Sequence, residues 1–166
     1  MKLFVVRHAK AEERNAQRCP DDSLRALTKG GIEKFRRLAK RVGRIVQAPE
    51  VVLSSGYVRA WETARILEEA AGWPAPTRLA ALECDARDAL DAVASALVER
   101  SESSLAIVGH EPFLSELIAH LIGGDPASIV MDKGAVAILE LDHSLTGGSL
   151  CALVTPSWTG ARRSKR

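Results

Sequence analysis

Short apolar, β-branched runs recur along this chain between longer stretches whose apolar residues fall at three- and four-residue steps. That alternation is the signature of an α/β domain built on a largely parallel sheet. The spacing predicts a first strand over about 2–7, a short buried strand at Val51-Val52-Leu53, a weaker one over 77–82 and another over 105–108. Between them Thr28 offers a cap for a helix of about 29–47 that Pro49 ends, with Ile32, Phe35, Leu38, Val42 and Ile45 as its apolar stripe. A second helix is expected over 57–71, closed by Gly72, with Trp61, Ala64, Leu67 and Ala71 on its core side, and a third over 86–99 with Leu90, Val93 and Leu97. Pro112 suits the first turn of a helix over 111–122 that stops at Gly123-Gly124. Strands over 135–141 and 150–155 flank Gly147-Gly148 as a hairpin.

At 166 residues the chain can bury one sizeable core and has no room for two full domains. We therefore expect one three-layer domain over 1–156 and a basic tail over 157–166. No apolar run approaches the roughly 20 residues of a membrane-spanning helix, and the opening residues run straight into a strand without a small-residue cleavage site. These features lead us to expect a cytoplasmic protein that does not engage membranes. Cys19, Cys84 and Cys151 stand too far apart in sequence for a metal knuckle and are odd in number, so they read as reduced thiols.

The formal net charge of +2 hides an uneven layout. Lys34, Arg36, Arg37, Lys40, Arg41 and Arg44 form one basic cluster, and Arg162, Arg163, Lys165 and Arg166 another; removing these ten from 23 leaves 13 basic against 21 acidic residues. The rest of the chain is acidic, so its basic pI does not argue for nucleic-acid binding. The clusters read as a solvated helix face and a tail, and no nucleic-acid partner is expected.

Three junctions at strand ends carry the same kind of chemistry: Arg7-His8 after the first strand, Ser55 to Arg59 after the second, and Gly109-His110 after the 105–108 strand. In an open parallel sheet the carboxyl ends of the strands share one edge, so these residues converge there. Helices starting near Tyr57 and Glu111 would aim their N-terminal amides at the same edge, which suits a phosphate dianion. Arg7 and Arg59 can each grip two phosphoryl oxygens and stay charged at any working pH. A neutral imidazole can attack phosphorus in line, the role expected of His8. His110 is better cast as a donor to the equatorial oxygens, because the attacking nitrogen has no proton to remove. Histidines 8 and 110 as metal ligands would lack a carboxylate set and would leave two arginines repelling the ion, so neither metal nor other cofactor is expected. His120 and His143 have no partner motif and are assigned nothing.

At these positions the chain resembles the histidine phosphatase superfamily. The Arg-His signature stands as Val5-Val6-Arg7-His8-Ala9, the loop-to-helix segment as Arg25-Ala26-Leu27-Thr28-Lys29-Gly30-Gly31, and the second arginine motif as Ser54 to Ala64. The second histidine motif stands as Val108-Gly109-His110-Glu111, and the match runs from 2 to about 141. The resemblance implies a phosphoglycerate mutase-like fold, a phosphatase with His8 as nucleophile, and Arg7, Arg59 and His110 as phosphoryl-binding groups. Only 23 residues separate Arg59 from Glu83 and 26 separate Glu83 from His110, too few for the extra helical lid of larger members. The pattern is similar to the compact SixA-type branch, which implies a phosphohistidine protein as partner, with a small phosphorylated substrate or a phosphate-binding module as the competing readings. Ala9 departs from the glycine of many relatives and should be tolerated. Glu83 lies near where a proton-donating carboxylate can stand, yet reads equally as a loop residue; Glu12, Asp21 and Asp22 are further carboxylates that spacing does not rank. Glu62, three residues from Arg59, would steady that side chain.

Overall fold

A computed structural model describes residues 1–83, 103–142 and 147–159, together with residue 95. Strand β1 (Lys2–Arg7) is the centre of the fold. Its residues alternate between two cores, as the period of two in a strand requires. Leu3 and Val5 enter one core with Leu53, Leu105 and Ile107, while Phe4 and Val6 enter the other with Val52, Ala106 and Val108. Both faces of β1 are fully buried, which is why the run Leu3 to Val6 is apolar without a break.

Around β1 lie β2 (Val51–Ser54), β3 (Pro76–Arg78), β4 (Ser104–Gly109), β5 (Val136–Leu141) and β6 (Gly148–Val154), in the spatial order β3-β2-β4-β1-β5-β6. The β3, β2, β4 and β1 pairings are parallel, whereas β5 runs antiparallel to both β1 and β6. The sheet is thus parallel where it carries the strand-end motifs and antiparallel where the expected hairpin closes it. The expected strand over 77–82 is shorter: only Pro76–Arg78 pair, and the chain then winds into a 3-10 turn over Ala80–Glu83. Proline at the first position of an edge strand loses no ladder bond, so β3 can start there.

Helix α1 (Lys29–Ile45) and helix α2 (Val58–Ala71) cover one face, packed on each other as well as on the sheet. Helix α3 (Phe113–Ile122) covers the other through Leu114, Leu117, Ile118 and Leu121. Thr28 caps α1 by accepting from the Gly31 N–H at 2.9 Å, and Gly72 ends α2 in the left-handed conformation that favours glycine. Two details of the expected stripes differ. Ile45, in the last residue of α1, is 73% exposed because the helix has run past its buried face, which closes at Val42. On α2 the buried set is Arg59, Ala60, Thr63, Ala64, Ile66 and Leu67, and Trp61 is only half-buried. The face that α2 turns inward contains an arginine and a threonine, so its most apolar residues do not mark it.

The helix expected over 86–99 falls almost wholly outside the described residues, as do Cys84, His143 and 160–166. Cys19 and Cys151 are free thiols. The first residues of the expected tail, 157–159, belong to a 3-10 turn (Pro156–Thr159) that lies against α1. Among the described residues, no helix is long and apolar enough to cross a membrane.

Candidate functional site

The carboxyl ends of β1, β2 and β4 lie side by side, since Arg7 pairs with Gly109 and Ser54 with Val108. Arg7, His8, Ser55, Arg59 and His110 are thereby brought to one edge of the sheet. The rings of His8 and His110 stand 5.1 Å apart, centroid to centroid. Tyr57 lies 5.0 Å beyond His110, and the Arg59 guanidinium carbon sits 4.9 Å from the Tyr57 ring centroid.

His8 is fixed through both its backbone and its ring. Its N–H donates to the Gly109 carbonyl and its carbonyl accepts from Gly134, both at 3.0 Å. The next residue's N–H, at Ala9, donates to Thr63 Oγ1 at 3.0 Å. Ala9 is itself buried in the core under α1, where a small side chain fits. The His8 ring makes one contact that decides its tautomer: Nδ1 stands 2.7 Å from the Ala9 carbonyl oxygen. A carbonyl only accepts, so Nδ1 carries the proton and Nε2 keeps its lone pair. Burial pushes the His8 pKa down to about 4; the Ala9 carbonyl opposes that shift, and Arg59 and Arg7 reinforce it. The ring is therefore neutral at ordinary pH, with a free lone pair on one known nitrogen.

His110 is buried enough to be pushed down to about 3, with the Arg59 charge and His8 acting the same way. Its Nε2 lies 2.9 Å from Ser55 Oγ, and that hydroxyl also accepts from the Tyr57 N–H at 3.2 Å. His110 Nδ1 is buried without a partner among the described residues. Arg7 donates from Nη1 to the Met131 carbonyl at 2.5 Å. Arg59 donates from Nη1 to the Asp22 carbonyl at 2.7 Å, and its Nη2 lies 3.1 Å from the Asp22 carboxylate. The Nε atoms of both arginines are buried without partners among the described residues. The site thus concentrates buried donors that the protein itself leaves unmatched.

The carboxylates separate clearly. Asp22 reaches the site and lies on Arg59, and Arg25 beside it holds its pKa below the usual carboxylate value. Asp21 only caps the 3-10 turn that carries Asp22 (Asp22–Leu24), and Glu12 is exposed. Glu83 lies at the rim, where Oε1 accepts from the Gly56 N–H at 2.9 Å and both oxygens take Arg78, at 2.6 and 2.7 Å. Arg78 holds its pKa below the ordinary value. A Cβ on Gly56 would meet Arg78 Nε at 2.6 Å and Glu83 Oε1 at 2.7 Å, so glycine makes room for this pair. Glu62 does not steady Arg59: its Oε2 accepts from the Leu27 N–H at 2.8 Å, tying α2 to the segment before α1. His120 is exposed on α3. Among the described residues, no group of three or more His, Cys, Asp or Glu side chains could hold a metal ion.

Ser55, Thr63 and the Met131 carbonyl were given no role by the sequence reading. Their contacts span long separations in the chain, and only the Ser55 position, one residue beyond a strand, carried a local signal.

A family model described as histidine phosphatase superfamily (branch 1) matches residues 3–88, just over half of the chain. The chain belongs to that superfamily. Among curated proteins, phosphohistidine phosphatase SixA of Escherichia coli (strain K12) is 27% identical over 150 residues, covering 89% of each chain. The solved structure of the protein histidine phosphatase SixA complexed with tungstate superposes with a TM-score of 0.82 at 27% identity, covering 96% of this chain and 100% of that one. A putative alpha-ribazole-5'-P phosphatase from E. coli shares the fold, with a TM-score of 0.71 at 20% identity over 94% of this chain and 98% of that one. The compact SixA-type relationship expected from the motifs is supported by both kinds of comparison, and the chain is a histidine phosphatase-type hydrolase of that branch.

Proposed function

We propose that this histidine phosphatase removes phosphoryl groups from histidine on proteins, with His8 Nε2 as the nucleophile and the cytoplasm as its compartment. The observation that carries the reading is the His8 Nδ1 contact with the Ala9 carbonyl, because it leaves Nε2 as a lone pair on a ring that is neutral near pH 7. In the first step Nε2 bonds to phosphorus as the bond to the substrate nitrogen breaks, and the substrate ring departs neutral once its distal nitrogen is protonated. In the second step water attacks phosphorus, the bond to Nε2 breaks, and phosphate leaves. The proton on Nδ1 allows His8 itself to depart as a neutral imidazole. Arg7 and Arg59 hold the phosphoryl oxygens, and an Nδ1–H on His110 donates to them as charge builds. For that, Ser55 donates its hydroxyl proton to His110 Nε2 and takes the Tyr57 N–H on a lone pair.

Neither displacement needs a carboxylic acid. Glu83, kept ionised by Arg78 and Gly56, serves this mechanism as the brace of the 54–57 turn rather than as a proton donor. An alkyl phosphate, whose leaving group needs a proton, is then a poor substrate. The relatives named SixA support the phosphohistidine assignment, and free thiols at Cys19 and Cys151 suit a reducing compartment. The test is phosphate release from a phosphohistidine protein, a sugar phosphate and a nucleotide. The phosphohistidine protein should have the highest kcat/KM; a higher value for either small molecule overturns the assignment.

A further inference from the structure

Beside the phosphoryl site, on the α1 side, lies an open hollow of about 650 Å³ whose wall includes Arg7, Lys10, Lys34, Arg37, Asp132 and Lys133. We propose that this hollow docks an acidic segment of the phosphoprotein substrate, continuous with the phosphohistidine; the proposal rests on the protein-phosphohistidine reading above.

Three parts of the chain supply its charge: the loop after β1 gives Lys10, α1 gives Lys34 and Arg37 three residues apart on one face, and the turn before β5 gives Lys133. Arg7 joins it to the phosphoryl site, because the Met131 carbonyl that receives Arg7 Nη1 belongs to the segment that carries Lys133. The arginines elsewhere around the site are ion-paired: Arg25 and Arg59 share the Asp22 carboxylate, Arg78 meets Glu83, and Arg36, on α1 itself, meets Glu69. Lys10, Lys34, Arg37 and Lys133 form no ion pair among the described residues, and only Asp132 opposes them on this wall. Like charges gathered on one wall repel one another, and an anionic partner relieves that repulsion.

The opposite flank differs in charge and size. It is a hollow of about 450 Å³ between Tyr57, Trp61, Arg78 and Glu83, where the arginine is already paired. The unpaired cations on the Arg7 side therefore have no counterpart among the residues that line the Tyr57 flank. Three of the four cations beyond Arg7 are lysines, which act as separate point charges rather than as a fork closing on one compact dianion. Such a row matches several carboxylates along a peptide. The basic cluster of α1 is thus divided: Lys34 and Arg37 face the hollow, and the remainder is the solvated face the sequence suggested.

Charge reversal at three exposed positions, Lys34→Glu, Arg37→Glu and Lys133→Glu together, tests this without touching Arg7 or the phosphoryl pocket. Wild type should prefer an acidic protein phosphorylated on histidine with phosphoramidate over a basic one treated likewise. The triple variant should lose on the order of tenfold or more in kcat/KM for the acidic protein at low salt. That loss should shrink at high salt. Turnover of p-nitrophenyl phosphate should stay within about twofold. An unchanged rate on the acidic protein overturns the proposal, and so does an equal loss on p-nitrophenyl phosphate, which would place the three residues in the phosphoryl pocket. If wild type cleaves no phosphohistidine protein, the proposed function fails and the hollow is judged by binding alone. A fluorescent oligoglutamate peptide should then bind wild type and not the variant; equal binding, or tighter binding of an oligouridylate RNA, overturns the docking site.

Discussion

On the two faces of the sheet, apolar side chains meet apolar side chains: Phe4 packs on Trp73 with ring centroids 5.1 Å apart, and Leu38, Leu67, Leu114 and Leu117 are shielded from solvent. At the edge where β1, β2 and β4 end, the buried residues are His8, Ser54, Ser55, Arg59 and Thr63. The difference extends to single atoms. Of the buried side-chain polar atoms without a partner among the described residues, only Trp73 Nε1 belongs to the core layers, while Arg7 Nε, Arg59 Nε, His110 Nδ1 and Glu111 Oε1 lie at or beside that edge. Orphaned buried polar atoms cost stability and are rare in native proteins. Three of the four at that edge are donors, Arg7 Nε, Arg59 Nε and His110 Nδ1, which supports the proposed binding of a phosphoryl group with its acceptor oxygens there.

The largest effect should come from opposing substitutions in the two regions. His8→Ala should abolish phosphate release, leaving less than about a hundredth of wild-type activity, while thermal unfolding stays close to wild type. Phe35→Ala, in the fully buried layer under α1, should cost about 3–5 kcal/mol of stability, a large part of what a small domain has. Substantial turnover in His8→Ala would end its assignment as nucleophile, and a marginal stability loss in Phe35→Ala would mean the layer repacks.

The next effect is a pH dependence confined to the edge. His8 and His110 are held down to about 4 and about 3 in the folded chain, against about 6.5 when unfolded. Between those values the unfolded chain binds protons that the folded chain does not, so stability rises with pH there. As pH falls through about 6.5 toward 4, stability should therefore drop. His8→Asn should flatten part of that drop, and inorganic phosphate, which favours the charged rings, should offset it. Denaturant midpoints at a series of pH values read all three effects. An NMR titration that puts either ring near its ordinary pKa in the free protein would show that the edge is wetter than its geometry implies.

Sequence alone indicated that Arg7, His8, Arg59 and His110 meet at one sheet edge, because a parallel sheet converts strand order into spatial proximity. On α2 it placed the helix and the buried Ala64 and Leu67, but missed part of the inward face for a related reason. Apolar periodicity assumes that the inward face is the greasy one, and α2 turns Arg59 and Thr63 inward to build the site, leaving Trp61 at the rim. The ranking of the carboxylates was equally closed to it. Asp22 lies on Arg59 across 37 positions of sequence, and Glu83 is held by Gly56 across 27. Pairings at that range follow from how loops pack and leave no periodic trace. The basic cluster of α1 was legible as charge, but its division between a hollow and a solvated face depends on the turn that brings Lys133 opposite.

The smallest predicted effect sharpens the boundary between the two regions. Thr63 is fully buried on α2, where its hydroxyl accepts from the Ala9 N–H and donates to the Arg59 carbonyl at 2.6 Å. Thr63→Val keeps the shape and removes the acceptor, leaving the Ala9 N–H buried and unpaired at a cost of about 1–3 kcal/mol. Because the Ala9 carbonyl sets the His8 tautomer, loosening this peptide should also lower kcat more than it raises KM, since it disturbs the reacting nitrogen more than phosphoryl binding. Thr63→Ser should restore both stability and kcat, as the hydroxyl returns although the methyl group is lost. If Thr63→Val lowers stability and leaves kcat intact, Thr63 belongs to the packed layer alone, and the orientation of His8 is fixed by its own backbone bonds to Gly109 and Gly134.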